Sequence, residues 1–327
     1  MPEGVVPHAT KRYFFGVPKS VRYVVSIAVL GLLGGILTAC APTADVDDDR
    51  PLVLTTFTVL ADIAQNVAGD HLRVESITKP GAEIHGYEPT PGDVRQAAQA
   101  QLILDNGLNL EAWFAQFVDS VHVPHVVLSD GVEIIDISED AYAGLPNPHA
   151  WMSPLNVQSY VDTITTAFSD LDPAHAADFA AHAEAYKADL QQVHDDLIAD
   201  LAELPERQRA LVTCEGAFSY LARDAGLSEA YIWPVNAEQQ ATPRQIAATI
   251  EFVKDNDVPA VFCESTVSDR AMRQVVEATG AEFGGTLYVD SLSAADGPVP
   301  TYLDLIRHDA DTITAALTGR IAEEDAP

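Results

Sequence analysis

Basic residues are scarce in this chain. Its 327 residues include 18 Lys and Arg against 49 Asp and Glu, a formal charge of −31. Nucleic-acid binding draws on Lys and Arg to neutralise phosphates, so that function class is excluded. Diffuse attraction of cations follows from such acidity, but a specific site does not. Life in high salt, where dense carboxylates are screened, accounts for it equally well. Aromatics are few at 7%, yet the hydrophobic fraction of 47% is ample for the two packed cores that this length allows. Three cysteines supply neither a disulfide framework nor zinc-finger spacing. HExxH, GxSxG and a Walker phosphate loop are all missing, so no recognisable hydrolase or ATP site is present.

The first stretch with a clear reading is residues 1–39, an export signal. Lys11, Arg12, Lys19 and Arg22 precede a mostly apolar run from Val24 to Leu37, closed by Leu37-Thr38-Ala39-Cys40. The run is short for a stable bilayer span, which disfavours an uncleaved anchor helix. The LTAC ending resembles a bacterial lipoprotein signal. That resemblance implies cleavage before Cys40, lipid modification of Cys40 and a chain tethered outside the cytoplasmic membrane. Each buried acyl methylene would contribute about 0.8 kcal/mol to the anchor. Losing residues 1–39 leaves the mature chain three charges more negative. Residues 40–50 are polar and patternless, a flexible tether.

From Pro51 onward, short aliphatic runs alternate with helical stretches. LVLTTFT, RVESIT, QLILDNG and HVVLSD form a first set of strands, and RALVTCEG, EAYIWPV, AVFCES and EFGGTLYVD a second. Such alternation predicts an α/β fold of parallel sheets with crossover helices. The expected architecture is two lobes, 51–171 and 205–318, each a parallel four-stranded sheet with flanking helices. One long rigid helix over 172–204 joins them, because no Gly or Pro interrupts the chain between Pro173 and Pro205. About 30 helical residues span roughly 45 Å. His175, His182 and His194 on this helix are expected to face solvent, and 319–327 reads as a disordered tail. Thr90-Pro91 with Asp93, and Thr242-Pro243 with Gln245, carry the cap, proline and capping-box pattern of helix starts.

Ligands of open α/β sheets bind beyond the carboxyl ends of the strands. The metal-capable side chains at those ends are His85, on the loop before the Pro91 helix; His149, after the fourth strand; Glu215, ending LVTC; and Asp290, ending TLYV. Singly, each has an ordinary reading as a solvated loop imidazole or a strand-end carboxylate. Two from each lobe would close over an ion in the cleft between them.

The segments HGYEPTPGDV, NPHAWMSP, CEGAFSYLARDAGL and LYVDSLS resemble the four ligand segments of metal-binding solute-binding proteins of ABC importers, specifically the zinc/manganese cluster. The resemblance covers about residues 50–318. It implies that His85, His149, Glu215 and Asp290 are the metal ligands and that the chain captures a divalent metal for a cognate ABC permease. A monomer is expected, with no enzymatic activity. In that family the third ligand tends to be His in zinc proteins and Glu in many manganese proteins. Here it is Glu215, and the two carboxylates suit a hard ion, so Mn(II) is the expected cargo and Zn(II) the alternative. Asn147 and Ser153 stand where many relatives have Asp, which bears on how the ligands are held. Glu264 and Arg223 are further candidates for that supporting role. His122 and His125 flank Pro124 and read as surface structure.

Cys214 and Cys263 end strands that would be neighbours, and buried free thiols are the expectation, with a disulfide as the alternative in an exported protein. Strand alternation points Cys214 away from the side of Glu215. Rival functions are a metal-dependent hydrolase, which needs an open coordination position, and a surface adhesin, on which the sequence is silent.

Overall fold

Strand β1 (Leu52–Thr55) is buried along its whole length, and it lies inside the first sheet. It pairs in parallel with β2 (Arg73–Ser76) and with β3 (Leu102–Asp105), and β3 pairs with β4 (His125–Val127). The order β2-β1-β3-β4 sends the chain to both sides of β1 and so opens a crevice at the strand ends. These features come from a computed structural model that describes residues 48–319 apart from 115–116, 118–120, 139–141 and 236–240. The signal segment, Cys40 and residues 320–327 lie outside the described residues.

The helices follow their sequence signals closely. Helix α1 (Thr58–Ala68) buries Val59, Leu60, Ile63, Ala64 and Val67 on one stripe, the spacing of an amphipathic helix. Helix α2 (Pro91–Ala97) has Thr90 as its cap, and the Thr90–Asp93 capping box is formed. Helix α3 (Pro154–Leu171) is capped by Ser153. A short turn at Pro173–His175 then separates it from helix α4 (Ala176–Leu201). The long connector therefore begins four residues later than Asp172, because the proline turn breaks the run. Its 26 residues span roughly 39 Å. Phe179, Ala183, Tyr186, Leu190, Val193, Leu197 and Leu201 form its buried stripe.

His182 and His194 on α4, and His175 in the turn before it, are half-buried rather than open to solvent. His182 donates from Nδ1 to the Val67 carbonyl at 3.1 Å, and His175 stacks on His71 with ring centroids 3.9 Å apart. Alanine and acidic neighbours in sequence hid these contacts, which come from the end of α1.

In the second lobe β5 (Ala210–Glu215) precedes α5 (Ser219–Ala225) and β6 (Ser228–Trp233), followed by α6 (Pro243–Asp255) and β7 (Ala260–Glu264). Then come α7 (Arg270–Thr279), β8 (Glu282–Leu287) and α8 (Tyr302–Leu317). The Thr242–Gln245 capping box of α6 is formed. Parallel ladders join β5 to β6 and β7 to β8 as two two-stranded sheets, where one four-stranded sheet is expected. The reason is that, among the described residues, β5 and β7 lie side by side without forming a hydrogen-bonded ladder. Cys214 and Cys263 are not free thiols: a disulfide joins them, with Cα atoms 4.9 Å apart. Parallel crossover brings two strand ends 49 residues apart in sequence side by side, so the pair meets inside the core.

The floor of the cleft is stitched by bonds between distant segments. Tyr302 donates from its backbone to Asp62 at 2.9 Å and from its hydroxyl to the Trp151 carbonyl at 2.6 Å. Leu292 donates to the Thr58 hydroxyl at 2.9 Å, and Gly81 donates to the Ser291 hydroxyl at 2.7 Å.

Candidate metal centre

His85 sits on a loop fixed from both sides. Ile84 is fully buried, and its carbonyl accepts from the Trp113 indole at 3.1 Å. Glu83 accepts from the backbone N–H groups of His85 at 2.6 Å and Gly86 at 2.8 Å. After His85, the Tyr87 hydroxyl donates to Asp93 at 2.9 Å, tying the loop to the start of α2. His149 is fully buried at the head of the turn Ala150–Met152. Asn106 donates to the Pro148 carbonyl at 2.9 Å, and Tyr160 orients Asn106 at 2.6 Å.

Glu215 and Asp290 stand at or just past the ends of β5 and β8, both buried. The Glu264 carboxyl accepts from the Glu215 N–H at 3.1 Å. Arg223 lies elsewhere: it bonds Asp224, Asn156 and the Glu133 carbonyl, so it supports the lobe contact rather than a ligand atom.

The fold brings all four predicted residues together. His85 Nε2 is 3.2 Å from His149 Nε2, 3.8 Å from Glu215 Oε1 and 4.0 Å from Asp290 Oδ1. His149 Nε2 is 3.7 Å from Glu215 Oε1 and 4.0 Å from Asp290 Oδ1. Donor atoms about 2.0–2.4 Å from a common tetrahedral centre are about 3.3–3.9 Å apart, so these five separations are close to the edges of a coordination shell. His85, His149 and Glu215 form one group with all donor atoms within 4.8 Å, and Glu83, His85 and Asp290 another. Asp290 Oδ1 is buried without a hydrogen-bond partner, a costly arrangement unless a cation accepts it. Two carboxylates also balance the charge of a divalent ion.

Protonation fits the same use. Burial, and then the neighbouring His85 ring, hold His149 well below the usual imidazole range, so its lone pair is available at neutral pH. Burial raises the Asp290 carboxyl to about 6, against the pull of His85 and with a contribution from Glu83. Burial pushes Glu264 up to about 8; it is therefore neutral at pH 7 and adds no charge beside Glu215.

Two contributors were not fully legible in the sequence. Glu83 presents a carboxylate oxygen within 4.8 Å of donor atoms on His85 and Asp290, giving the centre an extra oxygen at its rim. Its only sequence signal is its place two residues before His85. Asn147, already marked by its departure from Asp, accepts from His149, but its partners across the cleft were not legible. A cavity of about 350 Å³ adjoins His85, lined in part by Leu108, Leu145, Pro146 and Pro148. It gives the centre an apolar approach. His125, read as surface structure, is partly exposed and holds Asp105 at 3.0 Å, away from the four donors.

The sequence model of the periplasmic zinc-uptake complex component A family matches residues 53–316. The iron-binding protein YfeA of Yersinia pestis is 52% identical over 262 residues, 80% of this chain and 84% of its own. The manganese ABC transporter substrate-binding lipoprotein PsaA of Streptococcus pneumoniae is 32% identical over 302 residues, covering 89% and 98% of the two chains. Among solved structures, the Mn-bound periplasmic metal-binding protein from Candidatus Liberibacter asiaticus matches with a TM-score of 0.77 and 36% identity. That match covers 82% of this chain and all of the other.

Proposed function

The chain belongs to the periplasmic zinc-uptake complex component A family, and from that premise we propose that it is the extracytoplasmic receptor of an ABC metal importer. Its work is to capture a divalent metal ion and pass it to a cognate permease. The family consists of substrate-binding transport proteins rather than enzymes. The observation that carries the reading is the convergence of His85, His149, Glu215 and Asp290 from four separate segments, with five donor separations of 3.2–4.0 Å. These four are the proposed ligands. Four protein donors leave little room for the reacting water of a hydrolytic centre.

Manganese is the proposed cargo. Two imidazoles with two carboxylates, and Glu83 at the rim, make an oxygen-rich set suited to a hard ion. Fe(II) is the second reading, favoured by the iron-binding name of the Yersinia relative. Zn(II) would bind the same donors in a test tube by the general affinity order. Lobes 51–171 and 205–318, with the linking segment 172–204 whose helix is Ala176–Leu201, form the proposed working parts of a monomer. Lipid attachment at Cys40 is the proposed anchor, supported by the lipoprotein names of relatives. Among the described residues no helix is long and apolar enough to cross a membrane. Elemental analysis of the protein purified from its own envelope, without added metal, tests the cargo. Manganese at one equivalent is expected; a metal-free protein that also fails to bind Mn(II), Fe(II) or Zn(II) in titration would sink the reading.

A further inference from the structure

Asn147 is almost fully buried and touches both lobes. Its Oδ1 is 3.0 Å from the backbone N of His149 and 2.9 Å from His149 Nδ1. Its Nδ2 is 2.7 Å from the Gly216 carbonyl and 3.1 Å from Ser219 Oγ. Two of these partners fix the orientation of the amide. A backbone N–H only donates and a carbonyl only accepts, so Oδ1 must face His149 and Nδ2 must face Gly216. An amide oxygen cannot donate, so His149 Nδ1 carries the ring proton. Its Nε2 is then left with the lone pair turned towards His85, Glu215 and Asp290.

The other end of the amide holds the residue next to Glu215. Gly216 is itself pinned, since a Cβ there would lie 2.8 Å from the Pro234 carbonyl and from the Tyr231 ring. The Ser219 hydroxyl donates onward to Glu229 at 2.6 Å. The Tyr220 hydroxyl returns to the Asn147 carbonyl at 2.8 Å. Six residues further on, Ser153 donates to Asp224 at 2.5 Å. The segment carrying His149 is thus tied to the lobe carrying Glu215 at Asn147 and again at Ser153, each time by a donor facing an acceptor.

We infer that Asn147 is a positioning residue with two duties in the metal centre. Its amide oxygen selects the Nδ1–H tautomer of His149, and its amide nitrogen sets the distance between the His149 turn and the Glu215 strand. The consequence for metal affinity rests on the receptor function proposed above; the tautomer is readable in metal-free protein and does not.

Aspartate separates the two duties. It keeps an acceptor for His149 but turns an oxygen towards the Gly216 carbonyl, so the amide's bond to Gly216 is lost. Alanine removes both. Long-range ¹H–¹⁵N correlation spectra of metal-free protein read the His149 tautomer, and stopped-flow chelation reads Mn(II) release. Wild type and Asn147→Asp are expected to show Nδ1–H, whereas Asn147→Ala moves towards Nε2–H and loses at least about tenfold in Mn(II) affinity. Asn147→Asp should release Mn(II) faster than wild type although its added negative charge favours retention, so electrostatics cannot explain that result. Ser219→Ala, which removes one partner of the amide nitrogen, should speed release about twofold to threefold, equivalent to about 0.4–0.7 kcal/mol, at the low end for a single neutral bond. An Asn147→Ala protein that keeps Nδ1–H and wild-type affinity overturns the first duty. Wild-type release from both Asn147→Asp and Ser219→Ala overturns the second, and those two variants suffice if the alanine variant does not fold. Failure of wild type to bind Mn(II) or Zn(II) would strike the receptor function and leave the tautomer result standing.

Discussion

The indole N–H of Trp151 donates to the backbone carbonyl of Val289 at 3.1 Å. One partner lies two residues after His149 and the other one residue before Asp290, so this bond sets the spacing of two proposed ligands from opposite lobes. Trp151 is fully buried and packs edge-on against Phe57 with centroids 5.0 Å apart. Together with the Tyr302–Asp62 tie and the buried stripe of α4, it argues that the lobes move little. Small-angle scattering of metal-free and Mn(II)-loaded protein is expected to give nearly equal radii of gyration. A large contraction on loading would contradict the stiff connection. Trp151→Phe keeps most of the packing and loses the bond, so it should cost about 1–2 kcal/mol of stability and weaken Mn(II) binding.

Glu215 carries the expected preference for manganese. Glu215→Ala leaves the centre one donor short and should weaken both Mn(II) and Zn(II) at least about tenfold, by analogy with the cost of lost supporting groups. Glu215→His exchanges a charged oxygen for a neutral nitrogen, so Mn(II) should lose more than Zn(II). Calorimetric titration of three proteins with two metals measures the ratio. Unchanged binding in Glu215→Ala would reduce Glu215 to a strand-end carboxylate.

Protons compete with the metal at Asp290, whose carboxyl burial lifts to about 6. The metal requires the ionised form, so affinity rises with pH through that value and levels above it. Between pH 7 and pH 5 the Mn(II) affinity should drop about tenfold through this group alone, as one-proton competition requires. A flat profile in Asp290→Asn, with affinity reduced throughout, would identify the titrating group.

Metal-free stability should run the opposite way in the neutral range. Burial raises Glu111 to about 7 and Glu264 to about 8, above the unfolded value of about 4.3. The folded chain therefore binds more protons than the unfolded one across that window, and stability falls as pH rises. His149 acts with the opposite sign, but only below the usual imidazole value. Thermal melts from pH 6.5 to pH 8.5 are expected to fall by at least about 2 °C. A melting temperature that climbs over this interval would show that these acids ionise without cost.

The disulfide gives a separate expectation. It closes a loop of 49 residues, for which chain-entropy arguments give about 4 kcal/mol. The double variant Cys214→Ala/Cys263→Ala should lose stability of that order in denaturant melts and retain the His85–His149 half of the centre.

Sequence alone determined the features that arise within a few residues of one another. Thr90 with Asp93, and Thr242 with Gln245, start helices because each cap satisfies backbone N–H groups in its own first turn. The alternation of short aliphatic runs with helices specified parallel sheets, and strand ends marked His85, Glu215 and Asp290 as cleft-facing. Tertiary structure decided what depends on partners distant along the chain. Cys214 meets Cys263 only because a crossover sets β5 beside β7. Asn147 becomes a two-sided tie only because the Gly216 carbonyl faces it, and His182 is half-buried only because α1 ends against it. Hydrogen-bond partners and burial at such positions are set by packing between segments, and no local pattern of residues encodes them.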